Sequence, residues 1–482
     1  MKNDFFDVLI IGCGITGSLL ARELSRYDLN IAALDKENDV GNQTTNANSA
    51  IIHSGYDPVP GTLKAKLNVL GNKMYDQLAS ELDVDFYRIG SLTVALYDEQ
   101  LPLLEALKER SAQNGVEVQL LTPEQVKEME PNINPCVKGA LYAPTAGIID
   151  PFNLSVHAME NAMDNGVELF LNEEVIDIKY ENEIFIVYTK NNQYKAKVVV
   201  NAAGNYADKI AEMIEPIDWK ITPRKGEYFV LDHFKPALVN KVIFPLPSEK
   251  GKGILVSQTT SGNYIVGPSS EEIFDKDDYS TDKPTLDNIR KQASDMVPNI
   301  PFNQVIRTFS GLRPTCTRHD FVIESAKSNN HFIILGGIES PGLASSPAIA
   351  KYTIDNLIRP ILDLKEKESF DPYVKKYIRT NRLTIEERDA LIKENSDYGK
   401  IICDCEKISL GEIKDALSRN CPPHSVKALK RRTRAGYGKC QGGFCSPRVV
   451  LLLAKHYGIS PLDVPYDSLE SKILLKKIKE DN

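Results

Sequence analysis

A chain of 482 residues with 42% hydrophobic and 26% charged side chains is long enough for two or three domains with cores of their own. Its formal net charge of −8 gives no global reason to bind nucleic acid. No unbroken apolar stretch of about 18 residues is present for a membrane-spanning helix. No basic-then-apolar leader opens the chain, so a cytoplasmic location is expected.

Residues 7–11 (DVLII) read as a buried strand that ends in Gly12-Cys13-Gly14-Ile15-Thr16-Gly17. An amphipathic helix follows (ITGSLLARELSRY), then a second strand (IAALD) closed by Asp35. Strand, G-x-G-x-x-G turn, helix and an acidic residue about twenty positions on form a dinucleotide-binding unit. The glycines allow a tight turn and close approach to a pyrophosphate, the helix start offers free N–H groups, and Asp35 can accept ribose hydroxyls.

Three more apolar runs open onto glycine turns, at 167–172 (VELFLN), 197–204 (KVVVNAAG) and 332–337 (FIILGG). They read as further strands of a doubly wound sheet. Residues 224–231, 241–246 and 253–267 read instead as antiparallel strands, the last two halves joined around Ser261-Gly262-Asn263. The expected fold class is therefore α/β: a doubly wound, Rossmann-like domain with an inserted, mainly antiparallel α+β domain, plus a small helical cysteine-bearing domain. The expected boundaries are 1–80, 145–220 and 305–362 for the dinucleotide domain, and 81–144 with 221–304 for the inserted substrate domain. A charged, helical connector (363–398), the cysteine domain (399–465) and a basic helical tail (466–482) follow. Ser346 reads as the N-cap of the helix AIAKYTIDNLI, with Pro347 at its first position.

Thr44-Thr45-Asn46-Ala47-Asn48-Ser49, then Ile51-Ile52-His53-Ser54-Gly55, Asn201-Ala202-Ala203-Gly204, and Gly336-Gly337 with Ser340-Pro341-Gly342-Leu343 resemble the FAD-dependent family that includes D-amino-acid oxidase, glycerol-3-phosphate oxidases and dehydrogenases, and L-2-hydroxyglutarate dehydrogenase. The resemblance covers about residues 5–360 and is nearest to the glycerol-3-phosphate and L-2-hydroxyglutarate branch, through HSGYDPVPGTLKAKL at 53–67. It implies FAD as cofactor, with contacts from Gly12, Gly14, Ile15, Thr16, Gly17, Asp35, Lys36, Thr44, Thr45, Asn48, Ser49, Val175, Ala203, Gly204, Gly311, Gly337, Gly342, Leu343, Ala344 and Ser345. No second strand–glycine-loop–helix unit offers a place for a nicotinamide nucleotide. The resemblance further places His53 at the substrate, as base or as flavin contact. Arg313 is the anion clamp, since a guanidinium matches phosphate or carboxylate bidentately. Lys252, or Lys250 two residues away on the same side of an extended chain, is a further substrate contact, and Ser340 is counted with His53, Arg313 and Lys252 among the catalytic residues.

Five of the eight cysteines fall within one C-terminal stretch, which in a reducing compartment points to metal or redox chemistry. Cys403 and Cys405 are followed, 34 intervening residues later, by Cys440 and Cys445. Two close pairs can converge on a tetrathiolate site for [2Fe–2S] or Zn²⁺. The stretch resembles the bacterioferritin-associated ferredoxin-like [2Fe–2S] domain, including the capping box that begins at Ser409. Cys421 falls outside the pattern and reads as structural. The basic run from Lys427 to Lys439 can offset cluster charge, face an acidic partner, or simply be solvated.

The resemblance thus implies an FAD-dependent dehydrogenase of sn-glycerol 3-phosphate that passes electrons through a [2Fe–2S] cluster to a flavoprotein subunit, a quinone-linked protein or a ferredoxin. An L-2-hydroxy acid is the second substrate class and an amino acid or opine the third. A binding or iron-sensing role for the cysteine module stands as the non-enzymatic alternative. A homo- or hetero-oligomer, peripheral at a membrane through its partner, is compatible with this reading.

Overall fold

The computed structural model describes residues 5–247 and 253–476. Strands Glu168–Phe170, Ile31–Leu34, Phe5–Ile11, Gln193–Asn201 and Phe332–Gly336 lie side by side and parallel. A hairpin, Val175–Glu181 with Ile184–Thr189, runs antiparallel to the first half of Gln193–Asn201. Both faces of this sheet are covered, as parallel sheets require. Val8 and Ile10 face a core shared with helices Ile15–Leu24, Pro151–Asp164 and Gly342–Thr353. Phe6, Leu9 and Ile11 face a second core that holds Trp219 and helix Ala207–Glu212. Gly12, Ala202 and Gly337 follow directly on the C-terminal ends of their strands, where ligands bind in doubly wound sheets.

The second sheet has nine strands. Among the described residues, Val305–Cys316 and Glu271–Glu272 flank Ile221–Leu231, and Tyr264–Gly267, Leu255–Gln258, Val242–Pro245, Ser91–Ala95, Gly139–Ala143 and Gln119–Leu121 follow in order. All pairings are antiparallel except Val242–Pro245 with Ser91–Ala95. Helix Lys283–Met296 covers one face through Ile289, Ala293 and Met296. Strand Val305–Cys316, assigned from the sequence to the dinucleotide domain, pairs along its length with Ile221–Leu231 in this second sheet.

Three local expectations are corrected. The helix expected to start at Ser346 begins a turn earlier, at Gly342, and Pro347 lies inside it. Proline cannot donate to the carbonyl four residues back. That carbonyl, Leu343 O, is instead taken by Ser346 Oγ at 2.8 Å and by the Tyr75 hydroxyl. In the connector, helix is confined to Ile385–Glu394 after a Thr384/Glu387 capping box. Residues before it run extended over the dinucleotide domain, donating from Lys367 N to Arg26 O (2.8 Å) and from Val374 N to Glu81 O (3.0 Å). Those contacts replace intrahelical bonds. The described part of the tail, 466–476, contains no helix; a turn at Ser468–Ser471 closes a bridge between Pro465 and Lys472.

The cysteine domain is a short hairpin, Ile401–Cys403 with Ile408–Ser409, and helices Leu410–Leu417, Val426–Thr433 and Ser446–Tyr457. The Ser409/Glu412 capping box forms as expected. Buried ion pairs fasten this domain to the first. Asp39 accepts from Arg431 and from both terminal nitrogens of Arg432 (2.9 and 2.8 Å), and Glu160 accepts from Arg419 at 2.9 Å.

Candidate active site

The glycine turn is shaped by its own backbone. Gly12 has φ +101°, and a Cβ there would stand 2.5 Å from Ala202 O. A Cβ on Gly17 would stand 1.9 Å from Gly12 O, so this glycine serves helix packing. The following helix has no side-chain cap, and Thr45 Oγ1 accepts from Ile15 N at 2.9 Å. Asp35 accepts from Cys13 N (2.7 Å) and Glu37 N (2.9 Å), and enclosure pushes its carboxyl up to about 6. Its two oxygens have further lone pairs for hydroxyls.

From this turn a cavity of about 870 Å³ runs to the second sheet. Gly12, Gly14, Ile15, Thr16, Asp35, Lys36, Thr44, Thr45, Asn48, Ser49, Val175, Ala203, Gly204, Gly342 and Leu343 all line it, as do His53, Arg313 and Ser340. Gly17, Gly311, Gly337, Ala344 and Ser345 stand behind the wall. A Cβ on Gly311 would meet Ala47 O at 1.9 Å, and one on Gly337 would meet the Cys316 side chain at 2.6 Å. Ala344 and Ser345 are buried in the helix, with Ser345 Oγ on Pro341 O at 3.1 Å. Lys250 and Lys252 lie outside the described residues.

The far wall comes from two adjacent strands. Arg224 is registered opposite Arg313, Gly226 opposite Gly311 and Tyr228 opposite Phe309, and directly opposed residues share a face. Arg313 Nη2 donates to Ser269 O at 2.7 Å while crossing Gly226, where a Cβ would lie 2.1 Å from Nη2. Tyr228 stacks on Phe309 (4.6 Å) and shares a 3.0 Å hydrogen bond with Ser49; burial pushes its phenol above the usual range. Arg224 leans toward Glu272 at 3.5 Å. His53 lies 5.7 Å from the Phe244 ring, and its carbonyl accepts from Asn68 (2.7 Å) and Asn72 (3.0 Å). Arg224 and Tyr228 were not singled out from the sequence. The signal was their alternation about Gly226 in RKGEY, which becomes informative only once the partner strand is known.

In the C-terminal domain Cys405 Sγ lies 3.6 Å from Cys440 Sγ, and Cys403 bonds Cys445. Gly438 permits this approach, because a Cβ there would stand 2.3 Å from Cys405 Cβ. The Cys445 contact and main-chain N–H groups of Glu406, Gly436 and Cys405 hold the Cys403 thiol near 6, below its usual range despite burial, while Cys445 keeps the shared proton. Cys440 is likewise drawn toward thiolate and Cys405 away from it by their mutual contact, so each pair shares a proton that iron coordination by four thiolates would displace. Among the described residues no three such ligands close into a mononuclear centre; the four thiols stand as two contacts, one sulfur of each from each segment. Cys421 stays apart, accepting from Arg432 at 3.4 Å.

Residues 7–356 match the family described as FAD dependent oxidoreductase, and residues 401–455 match the BFD-like [2Fe-2S] binding domain. The chain belongs to the FAD-dependent oxidoreductase family and is an enzyme whose cofactors are FAD and a [2Fe–2S] cluster. It is 47% identical over 477 residues to a glycerol 3-phosphate dehydrogenase of Caloramator mitchellensis, spanning 99% of each chain. It is 39% identical to a glycerol 3-phosphate oxidase of Mycoplasma genitalium, over 76% of this chain and 97% of that one. A solved L-alpha-glycerophosphate oxidase of Mycoplasma pneumoniae with FAD bound resembles it with a TM-score of 0.73 and 32% identity, over 77% of this chain and 99% of that one. Among the described residues no helix is long and apolar enough to cross a membrane.

Proposed function

We propose that this enzyme oxidises sn-glycerol 3-phosphate to dihydroxyacetone phosphate and passes the electrons to a separate acceptor protein in the cytoplasm. The observation that carries the reading is the 47% identity to a glycerol 3-phosphate dehydrogenase through both domains, cysteine module included. The paired guanidiniums of Arg224 and Arg313 in the cavity support it, since they suit a phosphate dianion.

In this reading the phosphate is held by Arg313, already aimed by Ser269 O, and by Arg224 opposite. The hydroxyl on C2 is turned toward His53, which takes its proton as the C2–H departs with its electron pair. Each turnover releases two electrons and two protons. When bound, the flavin supplies the two-electron acceptor and the cluster a one-electron outlet. The backbone of Gly12, Gly14 and the helix that starts at Ile15 would hold the pyrophosphate. The helix beginning at Gly342 directs its positive end into the cavity, where negative charge is favoured. Cys403, Cys405, Cys440 and Cys445 would hold the cluster.

Anaerobic titration followed by flavin absorbance tests the substrate. Stoichiometric bleaching by glycerol 3-phosphate is expected. Bleaching by L-2-hydroxyglutarate, whose two carboxylates also suit the arginine pair, with none by glycerol 3-phosphate would replace this reading.

A further inference from the structure

A second cavity, of about 450 Å³, lies where the dinucleotide domain, the nine-stranded sheet and the cysteine domain meet. Asn42, Gln43, Ala47, Asn48 and Ala50 line both this cavity and the flavin cavity, so one loop is the partition between them. On the opposite side it is lined by Lys430, Tyr437 and Gln441, the last next to the cluster ligand Cys440.

Lys427 pairs with Asp467 at 2.6 Å and Arg434 with Glu406 at 2.9 Å. Of the other acids on the wall, Glu37 is taken by the amides of Asn42 and Gln43, and Asp150 by Phe152 N and Asn153 N. Arg307 and Lys430 are left with no carboxylate partner among the described residues. Lys430 is only 5% exposed; its ammonium has Gln441 Oε1 at 3.5 Å and the Tyr437 ring at 4.4 Å. The Ser310 hydroxyl on the same wall is also buried without a hydrogen-bond partner.

We propose that this cavity binds a small phosphate-bearing anion between Arg307 and Lys430. Phosphate supplies negative charge and several acceptor oxygens for Arg307, Lys430 and the Ser310 hydroxyl, and the volume leaves room for an organic substituent beside Tyr437 and Phe309. An occupant here stands between the flavin cavity's partition and the cluster loop, where it stiffens the junction that electrons cross.

Calorimetry on the FAD- and cluster-loaded enzyme tests this, using inorganic phosphate and AMP as probes. The Arg313→Gln background removes the arginine clamp of the first cavity. Phosphate binding is expected to persist there, and to weaken at least about tenfold when Arg307→Gln or Lys430→Met is added. Should Lys430→Met fold poorly, Arg307→Gln, on the partly exposed strand, decides alone. Tighter binding of AMP assigns a share to the aromatic wall, and tighter binding of phosphate assigns a bare-anion site. Phosphate that no longer binds in Arg313→Gln, or that binds equally with and without Arg307→Gln, overturns the proposal. The glycerol 3-phosphate titration of Arg307→Gln alone is expected to match the parent enzyme, so failure of this site is distinguishable from failure of the substrate reading.

Discussion

The two ends of the flavin cavity are made from different material. At the nucleotide end the wall is main chain: Gly12 at φ +101° against Ala202 O, and the start of a helix whose first N–H, Ile15 N, is met by Thr45 Oγ1. At the substrate end the wall is side chain, with Arg224, Tyr228 and Arg313 projected from strands Ile221–Leu231 and Val305–Cys316. On the proposed reading, cofactor affinity depends on backbone shape and substrate choice on strand register. Substitutions at the two ends should separate these properties.

The largest effect is expected at the nucleotide end. Gly12→Ala demands φ +101° of an alanine and forces its Cβ to 2.5 Å from Ala202 O, a backbone atom that cannot step aside. The protein should emerge from gel filtration without flavin absorbance, while the cluster absorbance of the C-terminal domain persists. Retention of stoichiometric FAD would show that the turn is more plastic than its geometry implies. At the other end, Arg313→Gln should keep the flavin and lower kcat/KM by about 10², the scale of removing one partner from a buried charged contact. Loss of flavin in that variant would mean that the two ends are not separable.

Gly226→Ala sharpens the comparison because it alters the substrate wall without removing a charge. The new Cβ would lie 2.1 Å from Arg313 Nη2, the mobile end of a long side chain. The guanidinium can swing aside, whereas the Pro268 ring, 2.8 Å from the same Cβ, must shift with its loop. A rise in KM of about tenfold with unchanged flavin content is expected, the scale of one weakened charge-assisted contact. An unchanged KM would remove Arg313 from substrate binding.

The same contrast explains what could be read from residues alone. The glycine turn and each cysteine pair are compact in sequence, so a dinucleotide site and a four-thiol site follow from spacing, while FAD and [2Fe–2S] came from the family resemblance. Arg224 and Tyr228 owe their place to a strand more than eighty residues away, and no local pattern marks RKGEY as a cavity wall. The start of the Gly342–Thr353 helix was misplaced because Pro347 normally marks a first turn. Here Tyr75, from a distant helix, caps the carbonyl that proline leaves free. The extended connector is likewise a tertiary outcome: its charges suit a helix, but backbone bonds to Arg26 and Glu81 hold it against the first domain.

The smallest expected effect concerns what supports the nucleotide wall. Helix Pro151–Asp164 packs beneath the glycine-turn helix and carries His157, which is fully buried. Its Nδ1 lies 2.6 Å from Leu82 O, its ring stacks on Tyr377 of the connector at 4.2 Å, and Nε2 has no partner. Burial, reinforced by the charges of Arg379, Arg419 and Arg432, depresses this imidazole to about 3, against the pull of the Leu82 carbonyl. In the unfolded chain it titrates near 6.5. A depressed folded value gives stability that is complete above about 6.5 and is lost as pH falls toward 3, at about 1.4 kcal/mol per pH unit within that window. Asp39, whose carboxyl Arg432 and Arg431 hold far below the usual range despite burial, contributes its own loss only at lower pH. Between pH 7.5 and 5.5 the holoenzyme should therefore lose about 1.4 kcal/mol through His157. His157→Phe, which keeps the stack but cannot titrate, should be flatter by that amount in denaturant melts at the two pH values. If parent and variant lose stability in parallel, the acid sensitivity of this seam lies elsewhere, and the glycine-turn wall does not lean on a neutral imidazole.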